Sequence, residues 1–336
     1  MKKLLITFLI SILALVTVGL PLTVFFVTDT GGLGDKSYND NAWAGVQMAV
    51  KQYGISTGVI QSYEQADYVP NLISAAEVAD VVVAVGPMMQ DALTQVAPQF
   101  PNVKFIFIDG NVNSPNVENF NFAAEQSSFL AGYLAAAMSK TGKIGFVGGI
   151  PLPAVEAFQY GYEAGAKAYD VLNGANVQVL SGYVGSFGDP AAGKSMTNSQ
   201  FSEGADIVFA AAGLTGLGTI EAAKDAGPGH FAIGVDQDQD YLAPGFVLTS
   251  VLKNEDIAVF DGIKSVIDNT FKSGTIMMNL ENNGVGLSQM LYTKNIIPAS
   301  ILQQIDTLKK AIVDGKLVVP STAAELQAFQ VPSILF

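Results

Sequence analysis

Two stretches of this chain share one plan, and that duplication constrains its fold more than any other feature. ADVVVAVGPMMQDALTQVAPQFPNVKFIFIDG (residues 79–110) is an apolar run, a glycine turn, a helical stretch and a second apolar run ending at Asp109. ADIVFAAAGLTGLGTIEAAKDAGPGHFAIGVDQD (residues 205–238) repeats the order and reaches Asp236. The spacing agrees: 29 residues lead from Asp80 to Asp109, and 30 from Asp206 to Asp236. Apolar runs without polar alternation suit strands covered on both faces, the situation of a parallel sheet between two helix layers. Upstream, LTVFFVTDTGG precedes a helix expected near residues 40–53, and KIGFVGGIP precedes one near residues 154–169. Each half reads β-α-β-α-β. The fold class is therefore α/β, with two doubly wound, Rossmann-like lobes, and 336 residues suffice for two cores.

Parallel crossovers are right-handed, so the loops after the strands gather at one edge of each sheet, where ligands of such sheets bind. Asp29, Asp109 and Asp236 all fall at strand C-terminal ends. Taken singly, each is a turn or helix-cap residue; at equivalent strand ends in both lobes, they point to a shared cleft. The loop TDTGGLGDKSYNDNAW (residues 28–43) is not a Walker phosphate cradle, because Asp35 and Thr30 stand where that motif needs its glycines. Its fixed charges, Asp29, Asp35 and Asp40, also oppose an anion. GLTGLG (residues 213–218) has the reversed spacing of a dinucleotide fingerprint and reads as a tight strand-to-helix turn.

Composition narrows the function. Lys and Arg number 17 against 30 Asp and Glu, a net charge of −13, which disfavours nucleic acid and acidic membrane surfaces as partners. No cysteine and a single histidine, His230, leave little material for disulfides, Cys/His zinc sites or Ser-His catalysis. His230 reads as a loop residue before a strand. The start, MKKLLITFLISILALVTVG, has two lysines and then a long apolar run, the layout of a secretory signal over residues 1–19 or of a retained anchor. Export is expected, and lipidation through cysteine is excluded in this chain.

Several phrases together resemble the basic membrane protein (BMP) family of type I periplasmic binding proteins, whose best-understood members are purine nucleoside receptors of ABC transporters. They are DKSYNDNAWAG, FIFIDG, SPNVENFNFAAEQSSFLAGYLAAAMSKTGKIGFVGG, GYVGSFGDPAAGK, VFAAAGLTGLG, GVDQDQ and LTSVLKN, in order from about residue 22 to residue 254, with GKLVVP near the C-terminus. Two departures stand out: Tyr38 where most members have Phe, and the missing lipidated cysteine.

The resemblance implies a nucleoside held between the lobes, its base between the rings of Tyr38 and Phe209. Asp29 and Asn39 match positions that contact the base or support that contact. Asp109 matches a carboxylate touching the ligand, and Asp236 with Lys253 matches the ribose-binding pair; Leu214 falls where contact comes from the backbone. The chemistry suits these roles, since a vicinal diol donates to an acceptor-only carboxylate and an aromatic ring shields a purine face. By pattern alone, Phe209 lies inside an apolar run and is a core residue, and Lys253 is a solvated residue at a helix start. The resemblance also implies a three-segment hinge, with crossings expected near residues 124–127, 246–250 and 282–286. The lobes would comprise residues 20–124 with 250–282, and 125–249 with 283–336. It implies a monomer without cofactor or catalytic chemistry, outside the cytoplasm, receiving adenosine, guanosine or inosine and delivering it to an ABC transporter permease. A nucleoside hydrolase and a non-transport regulatory or surface protein are the competing readings.

Overall fold

The computed structural model describes residues 21–332, so the segment read as an export signal lies outside the described residues. The first sheet contains β1 (Thr23–Val27), β2 (Ser56–Ile60), β3 (Val81–Val85), β4 (Lys104–Ile108) and β5 (Val117–Phe122). The second contains β6 (Lys143–Gly148), β7 (Gln178–Tyr183), β8 (Ile207–Ala211), β9 (Phe231–Asp236) and β10 (Val247–Lys253). Two late strands, β11 (Gly274–Met278) and β12 (Val285–Leu287), extend one sheet each. The strand orders are β11-β5-β4-β3-β1-β2 and β12-β10-β9-β8-β6-β7, so the halves correspond strand for strand. β12 alone breaks the parallel rule, running antiparallel to β10.

The apolar runs behave as strands enclosed on both faces. Every residue of β3 and of β8 is buried. The helix expected near residue 40 starts at Tyr38, because the Asp35 carboxylate accepts from the backbone N–H groups of Ser37, Asn39 and Asp40 and so caps the first turn. The helix expected at 154–169 runs Pro153–Asn173, opened by a proline at its first position and stopped by Gly174 in the left-handed conformation. Among the described residues, no helix is long and apolar enough to cross a membrane.

The chain passes between the sheets three times: from β5 to the helix Ala124–Met138, from β10 to the helix Glu255–Ile267, and from β11 to β12. The second passage differs from the crossing expected at 246–250. Residues 247–253 form one strand beside β9, and the turn into the first lobe follows Lys253. The apolar run VLTSVL completes the second sheet before it can leave it. The three passages are bonded together: Ala123 N–H donates to Met278 O at 2.8 Å, and Asn254 N–H to Gly284 O at 2.9 Å. At Gly284 a Cβ would stand 2.4 Å from the Met278 Cβ, so only glycine allows this approach.

Candidate functional site

The C-terminal ends of the strands in both sheets meet across a cleft. Asp109 follows β4 and Asp236 ends β9, at matching places in the two lobes. They share one unusual backbone conformation, with φ of 64° and 65°. This left-handed geometry is tolerated by Asp better than by most residues, and here it turns each carboxylate off its strand end toward the cleft. Asp29 follows β1 and has no acidic counterpart after β6, where the chain reads Gly149-Ile150.

Asp29 is held from one side. Its Oδ1 accepts from Asn39 Nδ2 at 2.7 Å and from Gly31 N–H at 2.8 Å. The Asn39 amide is fully engaged around Asp29, since Nδ2 also donates to Asp35 at 3.1 Å and Oδ1 accepts from Asp29 N–H at 3.2 Å. Burial, partly offset by the Asn39 and Gly31 bonds and reinforced by Asp35, pushes the Asp29 carboxyl up to about 6. Of the three loop aspartates, Asp35 caps the helix, while Asp40 fixes the turn by accepting from the N–H groups of Gly34 and Lys36.

A single cation faces this acidic site among the described lining residues. Lys253 is buried; its Nζ donates to Asp109 and lies 3.5 Å from Glu255 Oε1. The Nζ also sits 4.7 Å from the centre of the Tyr38 ring and 4.9 Å from that of Phe122, positions that favour a cation. Burial works against the charge, but Asp109, Glu255 and Asp236 overcome it and hold the ammonium more firmly protonated than usual. Tyr38 donates its hydroxyl to Asp109 at 2.8 Å. Glu255 is fully buried, with Oε2 accepting from Asn41 Nδ2, and burial together with Asp236 pushes its carboxyl well above the usual range. Asp236 is raised to about 6 by burial, against the pull of Lys253 and Ser37. Besides Lys253 with Asp109, further bonds join the lobes here: Ser37 Oγ donates to Asp236 Oδ2, and Gln239 Nε2 to Lys36 O at 2.7 Å.

Apolar walls complete the cleft, supplied by Tyr38, Pro87, Val155, Phe158, Phe187 and the Ala211–Gly213 turn. Of the eight residues picked from sequence, Asp29, Tyr38, Asn39, Asp109, Asp236 and Lys253 line it together. Phe209 and Leu214 do not. Phe209 is wholly buried within β8, its ring packed on Phe146, Tyr162 and Phe158 at 5.4–6.0 Å. Leu214 lies in the short turn Gly213–Thr215, where Gly213 is the residue that reaches the cleft. Sequence reasoning missed Phe158, Phe187, Ser37 and Glu255. Phe187 was signalled only by its place in GYVGSFGDP, and Phe158 by its place in the first turns of a helix that follows a strand end.

This hinged pair of lobes, with acidic strand ends around one buried lysine, matches a known family over nearly all the described chain. Residues 22–323 fit the family model Bmp, described as ABC transporter substrate-binding protein PnrA-like. The chain belongs to this family. Basic membrane protein A of Borreliella burgdorferi is 36% identical over 310 residues, covering 89% of this chain and 88% of that protein. The ABC transporter nucleoside-binding protein BmpA of Lactococcus lactis subsp. cremoris is 34% identical over 317 residues, covering 88% of each. Among solved structures, an ABC transporter solute-binding protein from Aeropyrum pernix K1 superposes with a TM-score of 0.84 at 28% identity, over 92% of this chain and 96% of that one. As a Bmp member the chain is an ABC transporter substrate-binding protein with the type I periplasmic binding fold.

The aromatic walls give a direct test. Phe158→Ala should weaken ligand binding by about 1–3 kcal/mol, the range for a ring stacked on a base. Phe209→Leu, a hydrophobic exchange in the core, should lower stability by about 1 kcal/mol and leave affinity nearly unchanged. Calorimetry and urea unfolding on both variants separate the two; the assignment is wrong if Phe209→Leu loses affinity and Phe158→Ala does not.

Proposed function

We propose that the protein is the extracytoplasmic receptor of an ABC transporter for purine nucleosides, with adenosine, guanosine and inosine as the candidate ligands. One observation carries this reading: aromatic and apolar walls and three strand-end carboxylates around one buried lysine face each other across a hinged cleft. Tyr38 and Phe158 present faces for a base. Asp236, with its acceptor oxygens, and Lys253, with its donors, suit the hydroxyls and ring oxygen of ribose. Asp109 supports Lys253, and Asn39 acts through Asp29. The relative from L. lactis, named as nucleoside-binding, supports the same class.

Binding would proceed without chemistry on the ligand or any cofactor. A nucleoside settling on one lobe draws the other over it about the three passages, since contacts made by both lobes favour the closed state. The closed monomer then offers a surface shared by both lobes to the permease. Residues 1–19 would direct export.

Calorimetric titration with guanosine, adenosine and inosine, alongside guanine and free ribose, tests the proposal. The nucleosides should bind at least about a hundredfold more tightly than either fragment, because each fragment leaves buried polar groups on one side of the cleft unpaired. Equal affinity for base and nucleoside would overturn it, as would release of free base during incubation.

A further inference from the structure

We propose that Asp29 chooses between purine bases by its own protonation: as a carboxylate it takes the N1–H edge of guanosine or inosine, and as a neutral acid it takes adenosine, whose N1 accepts. This rests on the nucleoside reading above.

The geometry fixes where the proton goes. Asn39 Nδ2 and Gly31 N–H both donate to Oδ1 and keep that oxygen an acceptor. Oδ2 receives neither bond. It lies beside Gly86, whose φ is 109° and where a Cβ would stand 3.2 Å from Oδ2 and crowd it, while Asp29 itself and the adjacent Pro87 line the cleft. Guanine and hypoxanthine offer N1–H as a donor, which an ionised Oδ2 accepts; the 2-amino group of guanine adds a second donor. Adenine offers N1 as an acceptor, which an Oδ2–H can meet and an ionised Oδ2 cannot.

The surroundings leave both forms accessible. Asp35 on the same loop, Tyr38 from the helix Tyr38–Tyr53 and Tyr68 from the helix Tyr68–Ala76 face Asp29, and none is a cation. Across the cleft stand Asp109 and Asp236, with Lys253 committed to Asp109 and Glu255. Burial without a cationic partner accords with a carboxyl that titrates near 6.

Other groups in the cleft titrate too, notably Asp236, raised to about 6. They act on the ribose, which all three nucleosides share, so the ratio of adenosine to guanosine affinity isolates the base edge. Neither base changes charge in this range. Calorimetric Kd values for adenosine, guanosine and inosine between about pH 5 and pH 8 should show the adenosine-to-guanosine affinity ratio falling up to about tenfold per pH unit. Inosine should follow guanosine. In Asp29→Asn, whose amide offers a donor and an acceptor as the neutral acid does, the ratio should favour adenosine and stay flat with pH. A flat ratio in the unaltered protein overturns the inference while the nucleoside function stands, as does an unchanged slope in Asp29→Asn. Absence of binding by all three nucleosides removes the function itself, and this inference with it.

Discussion

Lys253→Met should destabilise the ligand-free protein by about 3–5 kcal/mol at neutral pH, the cost of breaking a buried ion pair by deleting one partner. The ammonium donates to Asp109, lies 3.5 Å from Glu255 and attracts Asp236. Methionine keeps much of the volume and removes the charge, so three buried carboxyl groups face one another without a cation. Asp109 retains the Tyr38 hydroxyl at 2.8 Å and Glu255 retains Asn41, which limits the damage to the electrostatic part. The pH dependence distinguishes this cause from lost packing. Glu255 and Asp236 already hold their protons above the usual carboxylate range in the intact protein, and loss of the lysine raises them further. In the folded variant these groups bind protons that the unfolded chain releases, so stability falls as pH rises between the unfolded and folded values and recovers as pH falls. Urea unfolding at about pH 5 and about pH 8 should show the gap between variant and parent shrinking at the lower pH. A gap of equal size at both would mean that packing, not charge, is what Lys253 supplies.

Lys253 also occupies an informative place in the chain. It is the last residue of β10, and Glu255, two residues on, opens a helix of the other lobe. Asn41 ties the passage down, donating to Lys253 O at 2.8 Å and to Glu255. The proposed ribose-binding cation therefore sits at one of the three passages between the lobes, where a ligand contact bears directly on the connecting segment.

The double lobe was legible because each half repeats a strand, a turn, a helix and a strand, and burial on both faces imposes the same apolar run twice. The site was legible where function sits at a strand end: Asp109 and Asp236 stand out as charges closing apolar runs, and both occupy the left-handed conformation that turns them toward the cleft. Ring assignment was less legible. Phe209 and Phe158 touch, with centroids 6.0 Å apart, but one ring belongs to the core of β8 and the other to the helix covering it. A run buried on both faces carries no alternation to show which side chain reaches the edge. Glu255 escaped notice because its sequence position, the first turn of a helix, gives an acidic residue an ordinary reason to be there. Only the fold shows that this turn is packed against the buried lysine. The second hinge passage was misplaced for a related reason: nothing in VLTSVLKN marks where one sheet ends, whereas pairing with β9 extends to Leu252.

The cleft should reject nucleoside 5′-monophosphates by at least about a thousandfold relative to the parent nucleosides. Asp29, Asp109 and Asp236 line it with Lys253 as their one counter-charge among the described lining residues, and that ammonium is already bonded to Asp109. A phosphate of roughly −2 charge would enter beside carboxylates after losing its water, and like charges brought together in such a space cost several kcal/mol. The glycine loop offers no relief. Gly34 N–H donates to Asp40 and Gly31 N–H to Asp29, so these backbone donors serve internal carboxylates where a phosphate cradle would leave them free. Lys36 is on the same loop, but its ammonium pairs with Asp40 at 3.3 Å. Titration of guanosine against guanosine 5′-monophosphate at constant ionic strength measures the difference directly. Repeating it at high salt separates two origins, because screening weakens the rejection of a phosphate exposed at the cleft mouth and has little effect on one enclosed between the lobes. Comparable affinities at low salt would mean that a cation reaches the ligand's 5′ end in the closed state, and that the acidic cleft is not what sets the ligand class.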